Sequence, residues 1–203
     1  MILQTTPSTL RYASPELYCA MVAALARDAS VPVAMHLDHG DSYALCAKAF
    51  RAGYTSIMID GSKLPLEENI ALTRSVVELC ETAGVPVEGE LGRVGGKEDD
   101  LVCENAGYTD PDEAVRFERE TGLSSMHGAS GLTDEAIAAC IAKGICKVNF
   151  ATELRMAYTD AVRKLLAEKP EAFDPKAYGK VGRAAVAEAV KNRIRVCGCA
   201  GKA

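Results

Sequence analysis

No run of apolar residues in this chain approaches the roughly 20 needed to cross a bilayer, and the amino end lacks the basic-then-apolar order of a secretory leader. A membrane partner is therefore not expected, and the cytoplasm is the expected location. Basic residues are not in surplus either: 23 Lys and Arg against 28 Asp and Glu leave a net charge of −5, spread through the chain rather than blocked. Such a balance offers no nucleic-acid footprint and no polybasic membrane patch. The eight cysteines contain no Cys-x-x-Cys spacing, which removes a zinc knuckle, and a disulfide scaffold suits a smaller secreted chain. They read as small buried hydrophobes in a reducing compartment, with Cys197-Gly198-Cys199 as the one close pair. Internal repeats, low-complexity tracts and linkers are missing too, so a single domain over 1–203 is expected.

What the chain does have is apolar content of 48%, enough for a substantial core, distributed in a repeating order. Short β-branched runs alternate with longer amphipathic stretches, the pattern of parallel strands joined by helices. Strands are expected at Met1 to Gln4, Val31 to Leu37, Thr55 to Asp60, Pro86 to Leu91, Leu123 to His127 and Ile145 to Asn149. Helices are expected from Ser14-Pro15 to about Asp28, from Asp41 to Ala52, and from Leu66 to Ala83 with Gly84 as its stop. Further helices are expected from Pro111 to about Thr121, from Thr133 to Ala142, and from about Thr152 and Pro175. The stretch Gly92 to Asp100 is glycine-rich and acidic, too polar for a core element, and reads as a long functional loop. The fold class is α/β, a parallel (β/α) barrel of the TIM type. About six strands are countable where an intact barrel has eight and about 250 residues, so the barrel is expected to be incomplete.

Only three histidines are present, His36, His39 and His127, and all lie at or just beyond the carboxyl ends of expected strands. In such barrels that end carries the chemistry. Strand parity puts His36 and Asp38 on one side, and His39 follows where the chain leaves the sheet, so it can turn toward a metal. His127-Gly128-Ala129-Ser130-Gly131 ends a strand in small residues whose backbone N–H groups can approach an anion, with the Ser130 hydroxyl as a further donor. Asn149-Phe150-Ala151-Thr152 ends the next expected strand and opens a helix. Two such turns near the carboxyl end of a barrel match its common phosphate position.

The ordered motifs His36-Leu37-Asp38-His39, Met58-Ile59-Asp60-Gly61-Ser62, Glu88-Gly89-Glu90-Leu91-Gly92 with Gly95-Gly96-Lys97-Glu98-Asp99, His127 to Gly131, and Lys147 to Leu154 resemble the class II ketose-bisphosphate aldolases. These are the zinc-dependent fructose- and tagatose-bisphosphate aldolases, and the resemblance runs nearly the whole chain to the Cys197-to-Ala203 tail. It implies zinc bound by His39 and His127, with Asp60 and Glu90 as further candidate ligands and a monovalent cation as a candidate second ion. It also implies a catalytic pair: Asp38 donates a proton to, or polarises, the aldehyde carbonyl, and Glu98 exchanges the proton of the dihydroxyacetone phosphate carbon. Gly128, Ala129 and Ser130, with Asn149, Phe150, Ala151 and Thr152, hold the sugar phosphate. The implied reaction is reversible cleavage of a ketose 1,6-bisphosphate to dihydroxyacetone phosphate and glyceraldehyde 3-phosphate. The partner is a small phosphorylated sugar, and the assembly is a homo-oligomer, dimer or tetramer.

Against the family pattern, the first βα unit is lacking, and so is an internal unit between Ser125 and Met126 that carries the family's third zinc histidine. Catalytic zinc usually keeps three protein ligands and an open position; His36 or Glu90 could stand in as the third. Two rival readings follow. One is a remnant that binds a phosphosugar or partner without turnover, and the other is a metal-free enzyme using Lys147 as a Schiff base.

Overall fold

A computed structural model describes residues 1–92, 110–127 and 133–202, together with the backbone of two short strands in between. The chain forms two compact units, Met1–Gly131 and Leu132–Ala203. In the first, β1 (Ile2–Thr5), β2 (Ala34–Gly40), β3 (Ser56–Ile59), β4 (Val87–Glu90) and β7 (Ser125–His127) form one parallel sheet in the order β1-β2-β3-β4-β7. Each new strand joins on the same side as the last. A doubly wound sheet would reverse direction at some point; a sheet wound in one sense is what a βα barrel requires.

Helices α1 (Pro7–Tyr12), α2 (Pro15–Ala26), α3 (Tyr43–Ala52), α4 (Leu66–Glu81) and α5 (Pro111–Thr121) fill the crossovers. Their ends follow the expected chemistry. Ser14 and Ser42 accept from Leu17 and Leu45 backbone N–H groups, and Gly53 and Gly122 close α3 and α5 at positive φ. Asp110 accepts from the N–H groups of both Asp112 and Glu113 at the start of α5. Asp110→Ala is therefore expected to cost about 1 kcal/mol, read as a lower urea midpoint with an unchanged slope.

Leu37, Ile57 and Ile59 from the sheet pack with Cys46, Ala49, Tyr54, Val76 and Cys80 from the helical side as the main core. The Tyr54 hydroxyl reaches Thr5 Oγ1 at 2.8 Å, and burial pushes its pKa up to about 12 despite that bond. Burial likewise pushes the Cys46 thiol up to about 12, as expected of a cysteine serving as a hydrophobe. Cys146 and Cys199 are exposed instead. Ile70, Leu91, Phe117 and Leu123 form a second cluster beside β4. Helix α2 packs inward through Tyr18, Cys19 and Val22, while Leu17, Met21 and Leu25 from the same periodic stretch face outward.

Three elements depart from the sequence reading. Helix α1 was not expected; Pro7 at its first position supplies the helical φ in advance. The acidic glycine-rich stretch contributes β5 (Gly96–Glu98) to an antiparallel ribbon completed just beyond it by β6 (Leu101–Cys103), which pairs its own backbone without needing an apolar face. The expected strand Ile145 to Asn149 forms no ladder with the described strands, and Ile145 is half exposed. A β-branched run becomes a strand only where a neighbour accepts its backbone bonds.

The second unit holds α6 (Asp134–Ala142), α7 (Thr152–Glu168) and α8 (Pro175–Val196). The Tyr158 ring of α7 lies where a side chain at Gly182 of α8 would stand. Arg193 of α8 pairs with Asp134 at 2.5 Å and Glu153 at 3.0 Å and lies over the Phe150 ring. Among the described residues, no helix is long and apolar enough to cross a membrane.

Candidate metal centre and active site

The carboxyl ends of β2, β3, β4 and β7 gather all three histidines with four buried or nearly buried carboxylates, Asp38, Asp60, Glu88 and Glu90. Strand β2 sets the arrangement. It extends three residues past the expected end, and its register against β3 shifts between Leu37 and Gly40. His39 sits at φ +51, the only positive value among the described non-glycine residues. A bulge with a left-handed residue breaks the strict alternation of side chains, so neighbouring Asp38 and His39 can serve one site. Gly40 has no room for a Cβ, which would meet the Met58 carbonyl oxygen at 2.5 Å.

Each of the outer histidines leans on carboxylate. His39 Nδ1 lies 3.1 Å from Asp60 Oδ2 and 3.4 Å from Glu90 Oε2. Asp60 also accepts from the Ser62 N–H and hydroxyl at 3.0 and 2.6 Å. Burial alone would raise the Asp60 pKa, but the bonds from His39 and Ser62 outweigh it and bring it down to about 2. His127 Nδ1 lies 2.8 Å from Glu88 Oε1. Here burial works against the imidazolium, and the Glu88 carboxylate overcomes it, holding the His127 pKa above its ordinary value. The His39 and His127 rings meet edge to face with centroids 4.8 Å apart.

Asp38 completes the group. Gln4 Nε2 donates to its Oδ2 at 2.8 Å, from the strand that pairs Gln4 with His36. Asp38, His39 and His127 offer ligand atoms all within 4.8 Å of one another, and so do His39, Asp60 and Glu90. Two imidazoles with acidic oxygens suit a divalent ion of the zinc type. The residues present fit such a metal, since a carboxylate at Nδ1 keeps the imidazole proton there and leaves Nε2 as the ligating nitrogen.

Of the residues singled out in the sequence, Asp38, His39, Asp60, Glu90 and His127 come together. His36 lies alongside on the expected side of β2, 4.0 Å from Asp38, with Ser56 Oγ at 2.7 Å on Nδ1 and Glu88 Oε2 at 3.5 Å from Nε2. The Glu98 side chain and Gly128, Ala129 and Ser130 lie outside the described residues. Asn149, Phe150, Ala151 and Thr152 belong to the second unit, where Thr152 opens α7 as expected. Gln4, Ser56 and Glu88 received no role from the sequence. Glu88 had a signal: it shares strand parity with Glu90, and two acidic residues at alternate positions of an apolar strand are costly unless they have partners.

A singly wound βα sheet with imidazoles and carboxylates at the carboxyl ends of its strands has the layout of a βα-barrel enzyme with a candidate metal site. A family model described as class-II fructose-bisphosphate aldolase matches residues 1–126 and 122–202. The D-tagatose-1,6-bisphosphate aldolase subunit GatY of Klebsiella oxytoca is 38% identical over 239 aligned positions, covering all of this chain and 84% of that protein. The crystal structure of the YdjI aldolase from Escherichia coli K12 superposes with a TM-score of 0.83 at 33% identity, over 100% of this chain and 83% of that one. Fructose-bisphosphate aldolase from Campylobacter jejuni shares the fold at a TM-score of 0.78 and 20% identity, over 98% and 83% of the two chains. The chain belongs to the class II fructose-bisphosphate aldolase family: it is an aldolase, a carbon–carbon lyase.

Proposed function

We propose that the protein cleaves a ketose 1,6-bisphosphate, fructose or tagatose, into dihydroxyacetone phosphate and glyceraldehyde 3-phosphate, using zinc held by His39 and His127 with a neighbouring carboxylate. The observation that carries this reading is the convergence of Asp38, His39 and His127 at the carboxyl strand ends. A divalent ion bound there supplies Lewis acidity to substrate oxygen. The remaining work falls to the chain. In the cleavage direction Asp38 takes the proton from the hydroxyl on the fourth carbon as the bond between the third and fourth carbons breaks. Glu98 then returns a proton to the third carbon, so one proton leaves the substrate and one comes back. The Gln4 amide, donating to Asp38, fixes the carboxylate for that task.

Gly128, Ala129 and Ser130 with Asn149, Phe150, Ala151 and Thr152 are the proposed phosphate turns, in a cytoplasmic homo-oligomer. A monovalent cation is the proposed second ion. The internal break proposed between Ser125 and Met126 is supported by the family model, whose two matched stretches overlap at 122–126. The 239-position alignment also uses only this chain's 203 residues. In the structure β7 then pairs directly with β4.

Activity with each bisphosphate, assayed before and after dialysis against a chelator, tests the proposal. Expected are cleavage of one ketose bisphosphate, loss on chelation, recovery with zinc, and no borohydride trapping at Lys147. Zinc-loaded protein that binds a substrate analogue without turnover would replace this reading with that of a non-catalytic phosphosugar binder.

A further inference from the structure

We propose that Glu88 is a positioning residue for the metal centre, holding His127 in the tautomer and orientation that ligate the ion. The inference rests on the reading of His127 as a ligand. Glu88 lies in β4 with 4% exposure, and its two oxygens divide between two rings: Oε1 at 2.8 Å from His127 Nδ1 and Oε2 at 3.5 Å from His36 Nε2. His36 is itself anchored through Nδ1 to the Ser56 hydroxyl at 2.7 Å. A connected series of side chains, Ser56, His36, Glu88 and His127, thus runs across four strands and ends on the proposed ligand.

The geometry has a specific chemical consequence. An imidazole with a carboxylate at Nδ1 carries its proton on that nitrogen and presents Nε2 as the lone pair. Asp60 and Glu90 serve His39 in the same way, at 3.1 and 3.4 Å from its Nδ1. The two proposed ligands are therefore oriented by separate acidic groups. Glu88 matters most on the β7 side, because β7 is three residues long and Ser125 and Met126 are exposed.

Glu88→Gln keeps the shape of the side chain but replaces the charged acceptor with a group that can donate to Nδ1 and favour the wrong tautomer. Zinc affinity of the metal-free full chain, measured by competition with a chromophoric chelator, is expected to fall about 10- to 100-fold. The melting temperature of the metal-free protein should be unchanged. Cobalt substitution gives an independent readout, since an altered ligand geometry shifts the visible absorption of the bound ion. Should Glu88→Gln fail to fold, Ser56→Ala loosens the same series from its far end, and a smaller loss of zinc affinity is expected. Zinc affinity within twofold of the parent protein would overturn the inference, as would a loss matched by a lower melting temperature of the metal-free variant. If the parent protein binds no zinc at all, the failure lies in the reading of the metal site and not in the role of Glu88.

Discussion

Substituting His39 with alanine is expected to abolish stoichiometric zinc binding and to lower bisphosphate cleavage by at least about 10³-fold, since a lost Lewis acid is worth several kcal/mol at 1.4 kcal/mol per tenfold. His39 is the residue shared by both groups that could hold an ion, Asp38–His39–His127 and His39–Asp60–Glu90. Removing it disables either arrangement. Glu90→Gln removes a candidate ligand from the second group alone and leaves Asp60, the nearer acceptor at 3.1 Å, on His39 Nδ1, so the pair of variants separates them: if Asp38, His39 and His127 hold the ion, Glu90→Gln retains most of the metal, and if the second group holds it, both variants lose it. Zinc content of the purified variants by elemental analysis, with circular dichroism to verify the fold, makes the comparison. An His39→Ala protein that keeps one zinc per chain and full turnover would sink the assignment.

The parts of this site legible in the sequence are those that depend on local order. His36, Asp38, Asp60, Glu90 and His127 could be placed at strand ends because β-branched runs, helix caps and glycine stops mark the βα rhythm residue by residue. Parity correctly put His36 and Asp38 on one side. What could not be read depends on pairing across strands. The β2 bulge follows from its register against β3, and the contact of Glu88 with both His36 and His127 depends on side chains from three strands. Ile145 to Asn149 shows the converse limit: its composition suits a strand, but composition does not supply a partner ladder. The ribbon of β5 and β6 was hidden for a related reason. Its bonds are satisfied within the pair, so no alternation of apolar residues had to announce it.

Gly40 joins the fold to the site, and Gly40→Ala is expected to damage both. A Cβ there would approach the Met58 carbonyl oxygen at 2.5 Å, Cys46 Sγ at 2.9 Å and a Leu37 methyl at 3.0 Å. The nearest of these is backbone and cannot rotate aside, so strand β2 or β3 must shift. Overpacking of this kind costs about 2–3 kcal/mol, which should appear as a lower denaturant midpoint. The displacement falls between His39 and Asp60, because the Gly40 carbonyl accepts the Asp60 N–H at 2.8 Å and the His39 N–H points to Met58 Sδ at 3.4 Å. Zinc affinity should therefore drop along with stability, even though no proposed ligand has been altered. Ile57→Val, a volume loss in the same core, is the appropriate control: it costs about 0.5–1.5 kcal/mol while leaving the bulge intact, so its zinc affinity should stay near that of the parent. If the two variants lose metal in proportion to lost stability alone, the bulge has no special part in holding His39, and its left-handed backbone serves only the packing of β2.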